Sequence, residues 1–180
     1  MNKNVLLLIL DGWGLATNPA VSAIDKANTP FIDSLFKTYP HAKLEASGLA
    51  VGLPEGQMGN SEVGHMNIGA GRVVYQDLVK INLAVQQGEL LTHPVLTAAF
   101  ERAKAGKKKV HFLGLVSDGG VHAHIEHLKG LCDAAKHHGM EDVFIHAFTD
   151  GRDTDPKGGL AYLGDLQSHL DHSVGKIASV

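Results

Sequence analysis

Short apolar runs, each followed by polar or glycine-rich residues, recur along this chain. Val5–Leu10 is the first run, Val110–Val116 the second and Val143–Phe148 the third, and Lys176–Val180 begins a fourth. Runs of this length that are bounded by turn residues are typical of buried β-strands. The pattern therefore predicts three complete strands and the start of another.

Amphipathic stretches with a helical period lie between these runs. The predicted helices are Phe31–Tyr39 after Thr29-Pro30, Val74–Leu90, Pro94–Ala105, His124–His138, and a last helix from Asp155-Pro156 to about Asp171. Because strand and helix alternate from Val110 onward, we expect βαβ units. The predicted fold class is α/β, with mostly parallel sheets and flanking helices.

The chain changes character near Gly71-Arg72. Before this point it is rich in glycine and turn residues, and after it come longer helices and a new series of strands. We therefore expect a domain boundary at about residue 75, which divides the chain into parts 1–75 and 76–180. Because the last apolar run reaches Val180 with no helix to cover it, we also expect both parts to be incomplete and the chain to be truncated.

Composition narrows the class of protein. Of 180 residues 44% are apolar, the formal charge is -3, and Gly106–Lys109 is the one basic run, which we interpret as the end of a helix. A single cysteine, Cys132, excludes a disulfide within the chain and fits a reducing compartment as a buried structural thiol. Val5–Leu10 is too short for a membrane span or a signal-peptide core. We expect a cytoplasmic protein that binds neither nucleic acid nor membranes.

Polar side chains follow each predicted strand at its carboxyl end, where parallel sheets collect functional groups. Asp11 follows the first strand, Asp118 and His122 the second, and Arg152-Asp153 the third. Asp11 has two interpretations, a turn-forming Asp-Gly or a ligand for Mg²⁺ or Mn²⁺. If its neighbours are buried, an unpaired carboxylate there is costly, which favours the ligand.

Ser61 lies in a glycine-rich stretch that we expect to be a flexible loop. A helix cap or a loop serine is the simple interpretation. The alternative is a nucleophile activated by a metal that Asp11 helps to hold, with helix-start amides available to a phosphate. His65 is a second polar group nearby, for which a surface histidine is the simpler interpretation.

Other polar residues also leave alternatives open. His124 and His127 would share a helix face, as a metal-binding pair or as two surface histidines. His122 can donate to a phosphate or a carboxylate. Arg152 can bind such a group through two hydrogen bonds, and Asp153 can accept a hydroxyl proton, or the two can simply hold a surface turn.

Four segments, taken together, resemble the cofactor-independent phosphoglycerate mutases, the type that does not need 2,3-bisphosphoglycerate. In the family's order they are LLLILDGWG (6–14), GNSEVGHMNIGAGR (59–72), LVSDGGVHAH (115–124) and FTDGRDTDP (148–156). The resemblance covers essentially the whole chain, which corresponds to about the first third of the family's chains.

The resemblance implies the start of an alkaline-phosphatase-like domain that binds two Mn²⁺, with Mg²⁺ also possible, followed by part of an inserted α/β transferase domain. It implies Asp11 and Ser61 as metal ligands and Ser61 as the nucleophile that becomes phosphorylated. His122, Arg152 and Asp153 would bind substrate, and Asp153 would accept the proton when a glycerate hydroxyl attacks phosphoserine. The expected activity is the isomerase step between 3- and 2-phosphoglycerate in glycolysis and gluconeogenesis, by a monomer when complete.

Two other functions stay open. A metal-dependent phosphohydrolase or a phosphopentomutase of the same superfamily would also use Asp11 and Ser61, although His122 and Arg152-Asp153 favour the mutase. The third possibility is a non-catalytic fragment, because the remaining metal ligands and substrate arginines would lie beyond Val180. We therefore expect the chain to be inactive when isolated.

Overall fold

The computed structural model describes residues 4–180. Its elements are α1 (Ala23–Lys26), α2 (Pro30–Thr38), α3 (Ser61–Ala70), α4 (Asp77–Gln86), α5 (Pro94–Ala105), β1 (Val110–Val116), α6 (Ile125–His137), β2 (Val143–Thr149), α7 (Gly159–Leu170) and β3 (Lys176–Ser179). Short 3₁₀ turns are found at Pro19–Val21, Gly48–Val51 and Glu89–Leu91. Within residues 4–180, every helix is too short or too polar to cross a bilayer.

The three strands form one parallel sheet in the order β1-β2-β3. β1 and β2 pair in an unbroken register, from Val110 opposite Val143 to Val116 opposite Thr149. The pairing of β2 with β3 is shorter and shifts register between Ile145 and His146. The predicted α/β class, with a parallel sheet and flanking helices, is confirmed.

The core lies between the sheet, α6 and α7. Alternate residues of β2 are buried, with Ile145 fully excluded from solvent, as is Leu166 of α7. Each such side chain stabilises the fold by roughly 1.5–3 kcal/mol through removal from water. The members of this cluster are Val116, Ile125, Leu128, Cys132, Ile145, Ala147, Leu166 and Leu170. A second cluster packs Phe100 of α5 against Ala134 and Ala135 of α6.

Several predicted helix ends are confirmed, and the differences have local causes. α5 begins at Pro94 as expected, and Gly139, at φ +68, follows the end of α6. α4 is shorter than predicted because Gly88, at φ +70, separates it from the following 3₁₀ turn. α7 begins later than Asp155-Pro156, because the Asp155 carboxylate accepts the N–H of Lys157 and holds a turn there.

The predicted first strand is wrong. Val5–Leu10 has no strand structure, and Val5 and Leu6 are 93% and 87% exposed. An extended segment needs a neighbour for its N–H and C=O groups. In the part of the chain that the structure describes, the strands of the sheet pair only with one another. An apolar run without a pairing partner therefore stays irregular.

The segment around Gly52 packs against residues 74–76, which lie at the predicted boundary between the two parts of the chain. The N–H of Gln76 donates to the Gly52 carbonyl at 2.8 Å. The Asn67 side chain donates to Val51 O at 3.0 Å and accepts the N–H of Val74 at 2.8 Å. A Cβ on Gly52 would lie 2.1 Å from Val74 O, and its φ is +85, so the contact requires glycine. The boundary at residue 75 stays a prediction.

Candidate active site

Ser61 is the first residue of α3. The residue before it, Asn60, caps the helix, because its Oδ1 accepts the N–H of Val63 at 3.0 Å. The expected flexible loop is thus a helix start, and the cap is Asn60 instead of the serine. The exposed Ser61 hydroxyl lies where free N–H groups and the helix dipole favour an anion.

His65 contacts Ser61 from the next turn of α3. Its Nδ1 lies 2.8 Å from the Ser61 carbonyl oxygen and 3.1 Å from the Ser61 Oγ. Because a carbonyl oxygen can only accept, we assign the shorter contact to a hydrogen bond donated by Nδ1–H. Nδ1 then has no lone pair for the serine proton. His65 is therefore not positioned as the general base of Ser61.

Asp11 and Ser61 line the same cavity, of about 720 Å³, although they are far apart in sequence. Asp11 is exposed in a turn closed by the N–H of Trp13 on the carbonyl of Leu10, at 3.0 Å. The expectation that Asp11 follows a buried segment is wrong, because Val5–Leu10 is itself exposed. Its carboxylate is free of the desolvation cost that burial would impose.

The cavity fits part of a metal site. Carboxylate and hydroxyl oxygens are donors that suit Mg²⁺ or Mn²⁺. Across residues 4–180, no group of three or more His, Cys, Asp and Glu side chains is arranged to hold a metal. Asp11 and Ser61 would therefore be only part of the ligand set that such an ion needs.

A second polar cluster lies at the carboxyl ends of β1 and β2. His122, from the loop after β1, has its Nε2 3.5 Å from the Oδ2 of Asp153, from the loop after β2. Arg152 precedes Asp153 in the same loop and is exposed. The structure thus brings two of the three predicted substrate residues into contact and places the third beside them.

Asp150 organises the loop after β2, and the sequence analysis missed it. Its Oδ1 accepts the N–H groups of Gly151, Arg152 and Asp153 at 2.7, 3.1 and 3.2 Å, and its Oδ2 accepts the Ser117 hydroxyl at 2.9 Å. The hydrogen bond from the Asp153 N–H, with those from Ser117, Gly151 and Arg152, lowers the pKa of the Asp150 carboxyl. An aspartate directly after a strand and before glycine was the available signal.

The two strand-end loops also touch each other directly. A Cβ on Gly119 would lie 2.8 Å from the Cγ2 of Thr154, so a side chain at residue 119 would force the two loops to shift. The Tyr162 hydroxyl of α7 donates to Asp118 Oδ1 at 2.5 Å, and this bond raises the pKa of Tyr162. These contacts fix the loops that carry His122 and Asp153.

Of the two interpretations of His124 and His127, the hydrogen bonds of the structure favour the one without a metal. His124 is the N-cap of α6 and accepts the N–H of Glu126, at 3.2 Å, through its Nδ1. His127 instead turns its Nε2 to the Asn82 side chain, at 2.5 Å. Burial, followed by the nearby His124, lowers the pKa of His127. Each ring thus has a structural hydrogen bond of its own.

Comparison with known proteins assigns the family. The family model described as "BPG-independent PGAM N-terminus" matches residues 81–180, which is more than half of the chain. The chain belongs to this family of phosphoglycerate mutases. The resemblance found in its four sequence segments is thereby confirmed.

The chain is similar to curated proteins of the family that are much longer. The 2,3-bisphosphoglycerate-independent phosphoglycerate mutase of Flavobacterium johnsoniae is 63% identical over 180 residues, and that of Flavobacterium psychrophilum is 61% identical. In both cases the match covers 100% of this chain and 36% of the relative. The chain thus spans about a third of the length of these mutases.

A solved structure supports the same assignment. A crystal structure of Leishmania mexicana phosphoglycerate mutase, obtained at low cobalt concentration, has a TM-score of 0.59 to this chain and 34% sequence identity. The match covers 86% of this chain and 30% of that one. These likenesses establish the family and the fold of this chain, whereas the roles of Asp11, Ser61, His122, Arg152 and Asp153 stay predictions.

Proposed function

We propose that the polypeptide carrying this chain interconverts 3-phosphoglycerate and 2-phosphoglycerate through a phosphoserine at Ser61. The observation that carries the proposal is the 63% identity, over all 180 residues, to the 2,3-bisphosphoglycerate-independent phosphoglycerate mutase of Flavobacterium johnsoniae. The position of Ser61 supports it, because its exposed hydroxyl lies at the start of α3 and shares a cavity with Asp11.

In the first half of the reaction, the Ser61 oxygen attacks the phosphorus of 3-phosphoglycerate. A bond from the serine oxygen to phosphorus forms, the bond from phosphorus to the glycerate oxygen breaks, and that oxygen takes up a proton. Free N–H groups at the start of α3 stabilise the negative charge on the phosphoryl oxygens. His65 holds the first turn of α3 through Nδ1–H and leaves the serine proton to another acceptor.

A divalent metal ion would complete this half of the site. We assign Asp11 and Ser61 as two of its ligands, with Mn²⁺ proposed, two ions in the complete enzyme, and Mg²⁺ as an alternative. When bound, such an ion supplies positive charge that eases deprotonation of a serine hydroxyl and offsets charge on the phosphoryl group.

In the second half, the glycerate turns and takes the phosphoryl group back on its other hydroxyl. Asp153 accepts the proton of that hydroxyl, while His122 and Arg152 bind the anionic groups of the substrate. The 3.5 Å contact of His122 with Asp153 supports a shared subsite. Closure around the substrate must exclude water, since water would release free phosphate instead.

The same proposal assigns each of the two parts of the chain to a domain. Residues 1–75 belong to the metal-binding phosphatase-like domain and residues 76–180 to the inserted domain that orients the substrate. The enzyme is a cytoplasmic monomer whose partners are the two phosphoglycerates, without nucleic acid or membrane. The charge of -3 and the single basic run support the absence of a nucleic-acid surface.

Ser61→Ala in the polypeptide that carries this chain tests the nucleophile. We expect loss of the mutase activity and of all phosphoserine after incubation with 3-phosphoglycerate, measured by a coupled assay and by mass spectrometry. Ser34→Ala is the control, because Ser34 is another exposed helix serine whose hydroxyl donates to Phe31 O. Turnover well above background in the Ser61 variant would refute the assignment. Release of free phosphate without isomerisation, in the unchanged protein, would favour a phosphohydrolase.

A further inference from the structure

The loop that presents Arg152 and Asp153 depends on a carboxylate outside the predicted substrate residues. We propose that Asp150, supported by the Ser117 hydroxyl, is a positioning residue that fixes Arg152 and Asp153 for phosphoglycerate. This inference rests on the proposed function and adds two residues to it. Asp150 lies directly after β2, and Ser117 lies directly after β1.

Four protein donors converge on the Asp150 carboxylate. Its Oδ1 accepts from the three consecutive backbone N–H groups of residues 151–153, at 2.7 to 3.2 Å. Its Oδ2 accepts from Ser117 Oγ at 2.9 Å. A carboxylate offers about four acceptor positions, so these donors occupy most of its capacity. Asp150 therefore acts through the loop rather than by direct contact with a substrate.

Ser117 anchors this arrangement in the protein interior. Ser117 is only 2% exposed, so leaving its hydroxyl without a hydrogen-bond partner would cost free energy. The hydrogen bond to Asp150 meets this need and also joins the carboxyl ends of two neighbouring strands. The in-register pairing of β1 and β2, up to Val116 opposite Thr149, places the two residues side by side.

The hydrogen bonds to Asp150 indicate a role in orienting Arg152 and Asp153, because they fix the backbone of these two residues. The Arg152 and Asp153 N–H groups are both held by one oxygen atom, which restricts the directions in which their side chains leave the backbone. The Asp153 carboxylate is thereby held 3.5 Å from His122.

The hydrogen bonds of the loop favour the ionised form of Asp150, so they should depend on pH. Because its folded-state pKa is lowered, its hydrogen bonds stabilise the loop fully above the unfolded pKa of about 3.9. This stabilisation is lost as the pH falls from there through the lowered folded value. The amide signals of residues 151–153 should therefore titrate together, with one midpoint below about 3.9.

Three substitutions test the proposal. We compare Asp150→Ala, Asp150→Asn and Ser117→Ala in the polypeptide that carries this chain, with Asp142→Ala as a control at the opposite end of β2. The affinity for 3-phosphoglycerate is measured by calorimetry. Amide exchange and pH titration are measured by NMR on the 180-residue chain.

Asp150→Ala should lower the affinity about tenfold or more and expose the amides of residues 151–153 to exchange, while β2 stays protected. Asp150→Asn keeps an acceptor oxygen, so it should recover most of the affinity and the protection but lose the shared pH midpoint. Ser117→Ala should have a smaller effect of about two- to fivefold, and Asp142→Ala should have none.

Unchanged affinity and unchanged amide exchange in Asp150→Ala would overturn the proposal. Equal losses in the Ala and Asn variants would also overturn it, since they would indicate an effect of charge rather than of loop geometry. If the unchanged polypeptide does not bind 3-phosphoglycerate, the proposed function fails instead. The exchange pattern and the shared midpoint then decide by themselves whether Asp150 holds the loop.

Discussion

The two parts of this chain use similar apolar residues with different results. Val110–Val116 and Val143–Thr149 form paired strands, and Ile145 and Leu166 are completely buried between sheet and helices. Val5–Leu10 is at least as apolar, yet it forms no strand, and Leu8 is 70% exposed. The difference shows that an apolar run becomes a strand only where a second strand lies next to it.

The candidate chemistry is divided in the same way. His122 and Asp153 lie on loops that are joined at the strand ends by the Ser117–Asp150 hydrogen bond and that touch each other at Gly119. Asp11 and Ser61 instead line a cavity of the more open first part. The packed part therefore holds its polar residues by many contacts, whereas the first part holds them through a helix cap, the hydrogen bond of His65 to the Ser61 carbonyl, and a turn.

The largest expected contrast between the parts is in thiol chemistry. Burial, with a smaller effect of Asp133, raises the pKa of the Cys132 thiol to about 12. At pH 8, Cys132 should react with a thiol reagent on the order of 10³-fold more slowly than a free thiol, judged from the thiolate fraction alone. A cysteine introduced in the first part, Ala16→Cys, should react at nearly the free rate. Comparable rates would contradict the contrast.

Stability should follow the same division. Leu166→Ala removes a fully buried side chain and should lower the free energy of unfolding by about 2–5 kcal/mol. Leu8→Ala, in the exposed run, should change it by less than about 0.5 kcal/mol. Urea unfolding followed by circular dichroism measures both values. A large effect at Leu8 would mean that the first part is packed in solution.

The close packing of Gly52 against Val74, next to the predicted boundary at residue 75, should be sensitive to a single methyl group. Gly52→Ala places a Cβ 2.1 Å from Val74 O at a φ of +85, and should cost roughly 2–4 kcal/mol. Gly12→Ala is the control, because its φ is +78 but it has no neighbouring atom within 4 Å, so it should cost about 1 kcal/mol. Thermal unfolding compares the two variants. Equal costs would show that the backbone conformation alone matters.

Much of the fold could be predicted from the sequence. The strands β1, β2 and β3 and the start of α5 follow from apolar runs and from Pro94, because these signals are local. The missing strand at Val5–Leu10 depends on a partner, which no local pattern encodes. The late start of α7 depends on a hydrogen bond from Lys157 to Asp155, which competes with the helix.

The candidate site likewise combines residues that local sequence signals indicate with residues whose roles depend on contacts made on folding. The sequence predicts Ser61 from a glycine-rich stretch, and His122, Arg152 and Asp153 from polar residues that follow predicted strands, and their roles stay predictions. The role of Asp150 depends on three N–H groups and a serine from another strand, so it becomes visible only when the backbone is folded. The orientation of His65 likewise depends on a carbonyl one helical turn away.

The unbroken register of β1 and β2 limits how the chain length can vary. Ser117 and Asp150 are 33 residues apart and continue the register of Val110 opposite Val143. One residue inserted into either strand would displace the loop by about 3.3 Å and turn the following side chains to the opposite face. Insertions within the connection that contains α6 leave this register intact. The connections can therefore change in length, while the two strands that carry the polar loops can change only in side chains.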